Sequence, residues 1–228
     1  MALERSATIK PDCAATLLIT VLISGRGSNL KSLIENQNGY RVAAVVSNNP
    51  QAAGLELAAH YKIPSFIVAR ESYSSLAEFK AGVLAAVMET NPDFVALAGF
   101  MMMLSPQFIA EFEGRLINIH PSLLPELSGL NTHARAVSAG VKRHGCSAHF
   151  VDAGLDTGPL IAQSALELLP NDDATSAAAR VLTLEHVLYP WVLSRLACGD
   201  IRLHGRSVYY SAETISAANE RGFIIFQQ

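Results

Sequence analysis

The chain has 228 residues, of which 50% are apolar and 16% charged, with a formal net charge of −3. That length fits one domain, or one with a small appendage, and the apolar share supplies a large core. No basic cluster is present, which argues against a nucleic-acid surface as the main business of the protein. The cysteines Cys13, Cys146 and Cys198 are odd in number and lack metal-ligand spacing, so they fit a reducing cytoplasm better than a disulfide framework. Ala14–Ile23 is apolar but too short to span a membrane, and it lacks a cleavage pattern, so it reads as a buried strand.

Residues 1–15 read as a flexible tail ahead of a single domain over 16–210. Leu17–Ile23 is a continuous apolar, β-branched run, as expected of a parallel strand buried on both faces. A turn at Ser24–Ser28 leads into a helix near Asn29–Asn36. Strands follow at Arg41–Val46 and Pro64–Val68, with a helix at Ala52–Tyr61 between them. Ser75–Thr90 has helical periodicity, and Phe94–Ala98 is a fourth strand. Ser105-Pro106 opens another helix, because proline suits the first turn. Leu116–Ile119 is a fifth strand. This alternation predicts βαβ units and a doubly wound, mainly parallel α/β sheet. Gly145–Val151 and Leu160–Leu168 extend it, partly antiparallel. Asp173–Ala197 reads as one long helix and Ile201–Tyr210 as a terminal hairpin. Residues 211–228 are left as a C-terminal tail.

Arg115–Pro125, Arg-Leu-Ile-Asn-Ile-His-Pro-Ser-Leu-Leu-Pro, is the most informative stretch. Asn118 and His120 sit two apart, so on a strand both side chains leave the same face. Pro121 stops the ladder because it has no N–H to donate. An amide and an imidazole thus arrive together at the carboxyl edge, where open α/β sheets bind ligands. The amide suits a developing oxyanion and the imidazole suits proton transfer. The plainer reading is a polar strand end that caps the next turn.

The turn Gly25-Arg26-Gly27-Ser28-Asn29 offers glycine flexibility and a helix N-terminus, which fits either a simple turn or a site for one phosphate monoester. A third glycine at dinucleotide spacing is missing, as is a Gly-Lys-Ser/Thr sequence, so neither a dinucleotide fingerprint nor a P-loop is present. Asp156 lies in Gly154-Leu155-Asp156-Thr157-Gly158. The Asp-Thr-Gly triplet occurs in all-β aspartic proteases, a context that this α/β chain does not share. A loop aspartate between glycines is either a turn former or a carboxylate that shuttles protons beside His120. His133, His144 and His149 lack zinc spacing, which leaves no metal site expected. His149 alternates with Ala148 and Phe150 and serves as a core histidine or a supporting partner of the site. Glu185 sits in the long helix. Met101-Met102-Met103-Leu104 follows the fourth strand, as adaptable core or as the wall of a flat aromatic ligand site.

From about Leu18 to Trp191 these segments resemble the phosphoribosylglycinamide formyltransferases. The resemblance is carried by Leu-Ile-Ser-Gly-Arg-Gly-Ser-Asn-Leu, Val-Ser-Asn-Asn-Pro, Leu-Ala-Gly-Phe-Met, Asn-Ile-His-Pro-Ser-Leu-Leu-Pro, Leu-Asp-Thr-Gly-Pro and Glu-His-Val-Leu-Tyr-Pro, in that order. It implies a Rossmann-like formyltransferase fold with an antiparallel C-terminal extension. The phosphate-binding half would span about 16–115 and the folate-binding, catalytic half about 116–210. It implies formyl transfer from 10-formyltetrahydrofolate to glycinamide ribonucleotide in de novo purine synthesis, in the cytoplasm and without a metal. Asn118, His120 and Asp156 match the catalytic trio. Gly25, Arg26, Gly27, Ser28, Asn29, Arg115, Pro121 and Glu185 match substrate contacts. Met101, Met102, Met103, Leu104, Asn118 and the loop Val151, Asp152, Ala153, Gly154, Leu155, Asp156 match the folate pocket. His133, Ser147 and His149 stand behind them. The partners implied are these two small molecules, with neither nucleic acid nor membrane, for a monomer or a homodimer. Leu76, Met102, Leu182 and Asn131 depart from residues common in relatives. A formyltetrahydrofolate hydrolase, or another folate-dependent formyltransferase, is the rival reading on the same module.

Overall fold

In a computed structural model, residues 16–226 are described; the expected N-terminal tail lies outside them. Strands and helices alternate as β1 (Leu17–Ile23), α1 (Ser28–Glu35), β2 (Tyr40–Ser47), α2 (Ala53–His60), β3 (Ser65–Ile67), α3 (Leu76–Glu89), β4 (Phe94–Leu97), α4 (Pro106–Glu111) and β5 (Leu116–His120). There follow α5 (Thr132–Ser138), β6 (Arg143–Phe150), β7 (Leu160–Glu167), α6 (Ala174–Ala197), β8 (Ile201–His204), β9 (Ser207–Tyr210), α7 (Ala212–Glu220) and β10 (Ile224–Ile225). Local chemistry fixes the helix starts. The hydroxyls of Ser75 and Ser105 accept from the third backbone N–H of α3 and α4, and Asp173 forms a capping box with Ser176 at α6.

The main sheet has eight strands in the order β10-β7-β6-β5-β4-β1-β2-β3. Strands β1 to β5 pair in parallel, whereas β6 runs antiparallel to β5 and β7, and β10 antiparallel to β7. This is the doubly wound, mainly parallel architecture with an antiparallel extension that the sequence predicts. The order reverses between β1 and β4, so the loops after those strands border a crevice at the carboxyl edge. The strand pleat divides the core. Val21 and Ile23 face Leu30, Leu33, Val181 and Leu188 on the α1/α6 side, while Leu22 faces Phe79, Val83 and Phe108 on the α3/α4 side.

The end of the chain corrects the expectation of a tail. Residues 212–220 form α7, capped by Ser211, and Phe223 buries itself edge-on against Trp191, 5.1 Å between centroids. The helical part has one large apolar residue, Ile215, among alanines and polar residues, so it carries little period and tertiary docking decides this segment. The hairpin β8–β9 forms as predicted, but as a separate two-stranded sheet. Helix α5 has no clear periodicity in the sequence, because it is only seven residues long and follows Asn131 in a left-handed conformation, φ 57°. Among the described residues no helix is long and apolar enough to cross a membrane.

Helix α6 braces the carboxyl edge of the sheet. Pro190 has no N–H, which releases the His186 carbonyl from the helix ladder; the Ser32 hydroxyl of α1 donates to it at 2.6 Å. The Tyr189 hydroxyl, fully buried, lies 3.0 Å from the carbonyl oxygens of both Leu97 in β4 and Ile117 in β5. It pins the two strands together one residue before Asn118. Tyr189→Phe is expected to cost about 1–3 kcal/mol, the scale of a lost buried hydrogen bond. Chemical denaturation with the fold checked by circular dichroism measures it; an unchanged midpoint would contradict the role.

Candidate active site

Strand β5 ends at His120, and its register against β6 pairs Asn118 with His149 and His120 with Ser147. These side chains share one face of the sheet, as the two-residue spacing requires. The β6–β7 loop returns along the same edge and carries Asp156. Four groups thereby meet. Asp156 lies 3.4 Å from His120 Nδ1 through Oδ2 and 3.8 Å from His149 Nε2 through Oδ1, and its Oδ2 accepts the Gly129 N–H at 2.8 Å. Asp156 holds a left-handed backbone, φ 55°, a region that aspartate tolerates better than most side chains but that is still less favourable than the ordinary ones.

The tautomers follow from the partners. The Phe150 carbonyl can only accept, so His149 Nδ1 carries a proton toward it at 2.8 Å. Burial lowers the His149 pKa, so the ring is neutral and Nε2 accepts from Asn118 Nδ2 at 3.1 Å. That contact orients the Asn118 amide and leaves its second N–H for an acceptor in the crevice. His120 Nε2 donates to the Leu127 carbonyl at 3.1 Å, which turns Nδ1 toward Asp156.

On the other face, the turn after β1 opens α1. Gly27 sits at φ 78°, and a Cβ there would come within 2.7 Å of the Gly54 backbone at the start of α2, so only glycine lets these helix starts meet. Gly25 and Arg26 are exposed, Ser28 is half-buried and Asn29 is buried. Asn29 Nδ2 donates to Glu185 Oε2 at 2.6 Å, while Asn29 Oδ1 is buried without a partner. Burial pushes the Glu185 carboxyl from 4.5 up to about 7, against the opposing pull of the Asn29 bond. Ser24 ties three edge loops together: its hydroxyl donates to Asn48 and accepts the Met101 N–H, and its carbonyl accepts from Asn49. Asn48 and Asn49 belong to the Val-Ser-Asn-Asn-Pro segment after β2, where nothing local in the sequence marks them as part of the edge.

The remaining candidates divide. Met101 and Met103 are exposed on the loop after β4, whereas Met102 is half-buried against the α3/α4 core and Leu104 is buried. Val151 and Asp152 are half-buried, and Ala153, Gly154 and Leu155 are exposed. Pro121 directly follows His120. Ser147 Oγ accepts from the Leu124 N–H and from Gln163 and donates to the Ser122 carbonyl, so it shapes the turn after β5 and has no capacity left for a ligand. His133 pairs with His144 at 3.0 Å rather than with the trio, and burial pushes His144 down to about 4. Arg115 is a correction. It precedes β5 at the amino edge, roughly 16 Å along the strand from His120, bonded to the Glu111 and Pro92 carbonyls and stacked on Phe112. The strand direction carries it away from the crevice.

A doubly wound sheet of this order, with polar groups from β5, β6 and the β6–β7 loop at its carboxyl edge, is the frame of a ligand-binding α/β protein. The formyl transferase family model matches residues 17–193, and the chain belongs to that family. It is 39% identical over 201 residues to phosphoribosylglycinamide formyltransferase of Escherichia coli, covering 86% of this chain and 95% of that one. It is 41% identical over 187 residues to the trifunctional purine biosynthetic protein adenosine-3 of Drosophila melanogaster, but spans only 14% of that protein's length. The crystal structure of phosphoribosylglycinamide formyltransferase from Anaplasma phagocytophilum superposes with a TM-score of 0.81 at 40% identity, over 87% of this chain and 96% of that one.

The raised Glu185 pKa has a consequence for stability. The native state binds that proton more tightly than the unfolded chain, so the contribution is full below about 4.5 and is lost as pH rises through about 7. Glu185→Gln, which keeps an acceptor for Asn29, is expected to stabilise the protein at pH 8 by up to about 3 kcal/mol and to change little at pH 4. Urea unfolding at the two pH values measures this; equal stabilities at pH 8 would contradict a buried, proton-holding carboxyl.

Proposed function

We propose that the protein transfers a formyl group from 10-formyltetrahydrofolate to the amine of glycinamide ribonucleotide. The observation that carries this reading is the convergence of Asn118, His120, His149 and Asp156 at the carboxyl edge of β5. The family membership supports the reaction class, and the names of the relatives support the substrate. The α1/α6 face suits the ribonucleotide. Ser28 and Asn29 open a helix whose N–H groups attract a phosphate, and the unpartnered Asn29 Oδ1 beside Glu185 awaits a donor such as an amine or hydroxyl. The exposed apolar side chains of Met101, Met103 and Leu155 suit a flat pterin ring.

The residues then divide the chemistry. The neutral amine attacks the formyl carbon, and the carbonyl electrons move onto oxygen. The second Asn118 N–H holds that oxyanion as a preorganised donor, a contribution of about 3–4 kcal/mol, and the His120 ring joins it by exchanging its Nε2 bond to the Leu127 carbonyl for one to the oxyanion. The proton released by the nitrogen passes to Asp156 and on to the departing folate nitrogen, whose bond to carbon breaks. Asp156 also fixes the His120 ring, and His149 fixes the amide of Asn118.

The test is a steady-state assay with glycinamide ribonucleotide and 10-formyl-5,8-dideazafolate, following release of the deformylated folate. Release should require the ribonucleotide. Asp156→Asn should lower turnover by about 100-fold or more, as expected for a lost acid–base group, with melting within a few degrees of the wild type. Release without ribonucleotide would indicate a hydrolase, and near-normal turnover in the variant would refute the assignment of Asp156.

A further inference from the structure

The loop that carries Asp156 is clamped from outside its own strands. Arg206 sits in the tight turn Gly205-Arg206 between β8 and β9, about fifty residues further along the chain. One arm of its guanidinium, Nη1, donates to Asp152 Oδ2 at 2.8 Å, and Nη2 donates to the Thr157 carbonyl at 2.8 Å. Asp152 Oδ1 in turn accepts the Gly154 N–H at 3.1 Å and the Thr157 hydroxyl at 2.7 Å. Both flanks of Asp156 are therefore fixed to one planar cation. The hairpin that presents the cation is itself anchored: Ile201 and Val208 are buried in the α1/α6 core, and the Tyr210 hydroxyl donates to the Ile161 carbonyl in β7.

Two facts make this clamp matter to the site. Asp156 adopts a left-handed backbone, a less populated conformation that contacts on either side of it help to hold. Its loop has exposed residues at Ala153, Gly154 and Leu155 and no apolar core of its own. The Arg206 side chain is 70% exposed, where a single ion pair contributes little. A two-pronged contact to a carboxylate and a carbonyl is stronger, and only the rigid guanidinium fork satisfies both.

We propose that Arg206 is a positioning residue for formyl transfer: by bridging Asp152 and Thr157 it presets the loop that holds Asp156 over His120, so that the formyl donor meets a preformed site. This rests on the function proposed above for the same loop. Arg206→Ala should speed hydrogen–deuterium exchange of the amides at residues 153–158 while the rest of the chain exchanges as before. In the same variant, KM for 10-formyl-5,8-dideazafolate should rise and kcat fall, each by about fivefold, with KM for glycinamide ribonucleotide and the melting temperature unchanged. Arg206→Lys, which keeps the charge but loses the fork, should recover little. Unchanged loop exchange would overturn the clamp. A loosened loop with wild-type kinetic constants, or a general fall in melting temperature, would overturn its part in catalysis. Wild-type protein without transferase activity would instead refute the proposed function, while loop exchange would still report on the clamp.

Discussion

The antiparallel pairing of β5 with β6 is the constraint on which the rest of the site depends. A parallel neighbour would leave the β5 carboxyl edge beside another strand's carboxyl edge and nothing more. Because β6 runs the other way, it sets His149 directly against Asn118 and Ser147 against His120, and the chain then turns back along the edge through the Asp156 loop. One register thus delivers the amide, its orienting imidazole, a serine that shapes the turn after His120, and the carboxylate. A slip of one residue in β6 would put Ala148 and Cys146 on the crevice face and turn His149 and Ser147 into the α1/α6 core.

The cost of this arrangement is polar burial. His149, His120, Glu185 and Asn29 are all buried, and each is kept there by a named partner or a shifted proton affinity. His149 stays neutral and uses both ring nitrogens. Glu185 holds its proton more tightly than an exposed carboxyl would. The sheet tolerates these groups because α6 supplies compensating contacts: Tyr189 to β4 and β5, and Pro190 indirectly through the Ser32 bond to the carbonyl it releases. The same helix therefore both braces the sheet and buries a proton-holding carboxyl, Glu185, at a cost in stability.

Much of the fold is legible in the sequence because parallel strands buried on both faces appear as continuous apolar runs, and serine, aspartate and proline mark the helix starts. The Asn118–His120 pair is legible for the same local reason: two residues on one strand, then a proline. Asp156 is not, since a glycine-flanked loop aspartate looks like any turn former, and only resemblance to a family singled it out. Arg115 misleads because adjacency in sequence hides direction; a strand's length separates it from the crevice. Arg206 leaves no local signal, since its meaning lies wholly in a hairpin that folds back over the β6–β7 loop. Residues 212–225 carry one large apolar residue in the helical part and a short apolar run after Gly222, too little period to announce a helix and a strand, which form because Trp191 and the β7 edge offer them a surface.

The central claim is that the donor array is set before any substrate arrives, with His149 neutral, protonated at Nδ1, and accepting from Asn118 at Nε2. Nitrogen-15 NMR of the histidine side chains in the ligand-free protein tests it most directly. The account predicts that at pH 7 His149 shows a protonated Nδ1 and an unprotonated Nε2, and that it gains its second proton only below the ordinary histidine range. An imidazolium at pH 7, or the opposite tautomer, would leave Asn118 without its acceptor and contradict the account.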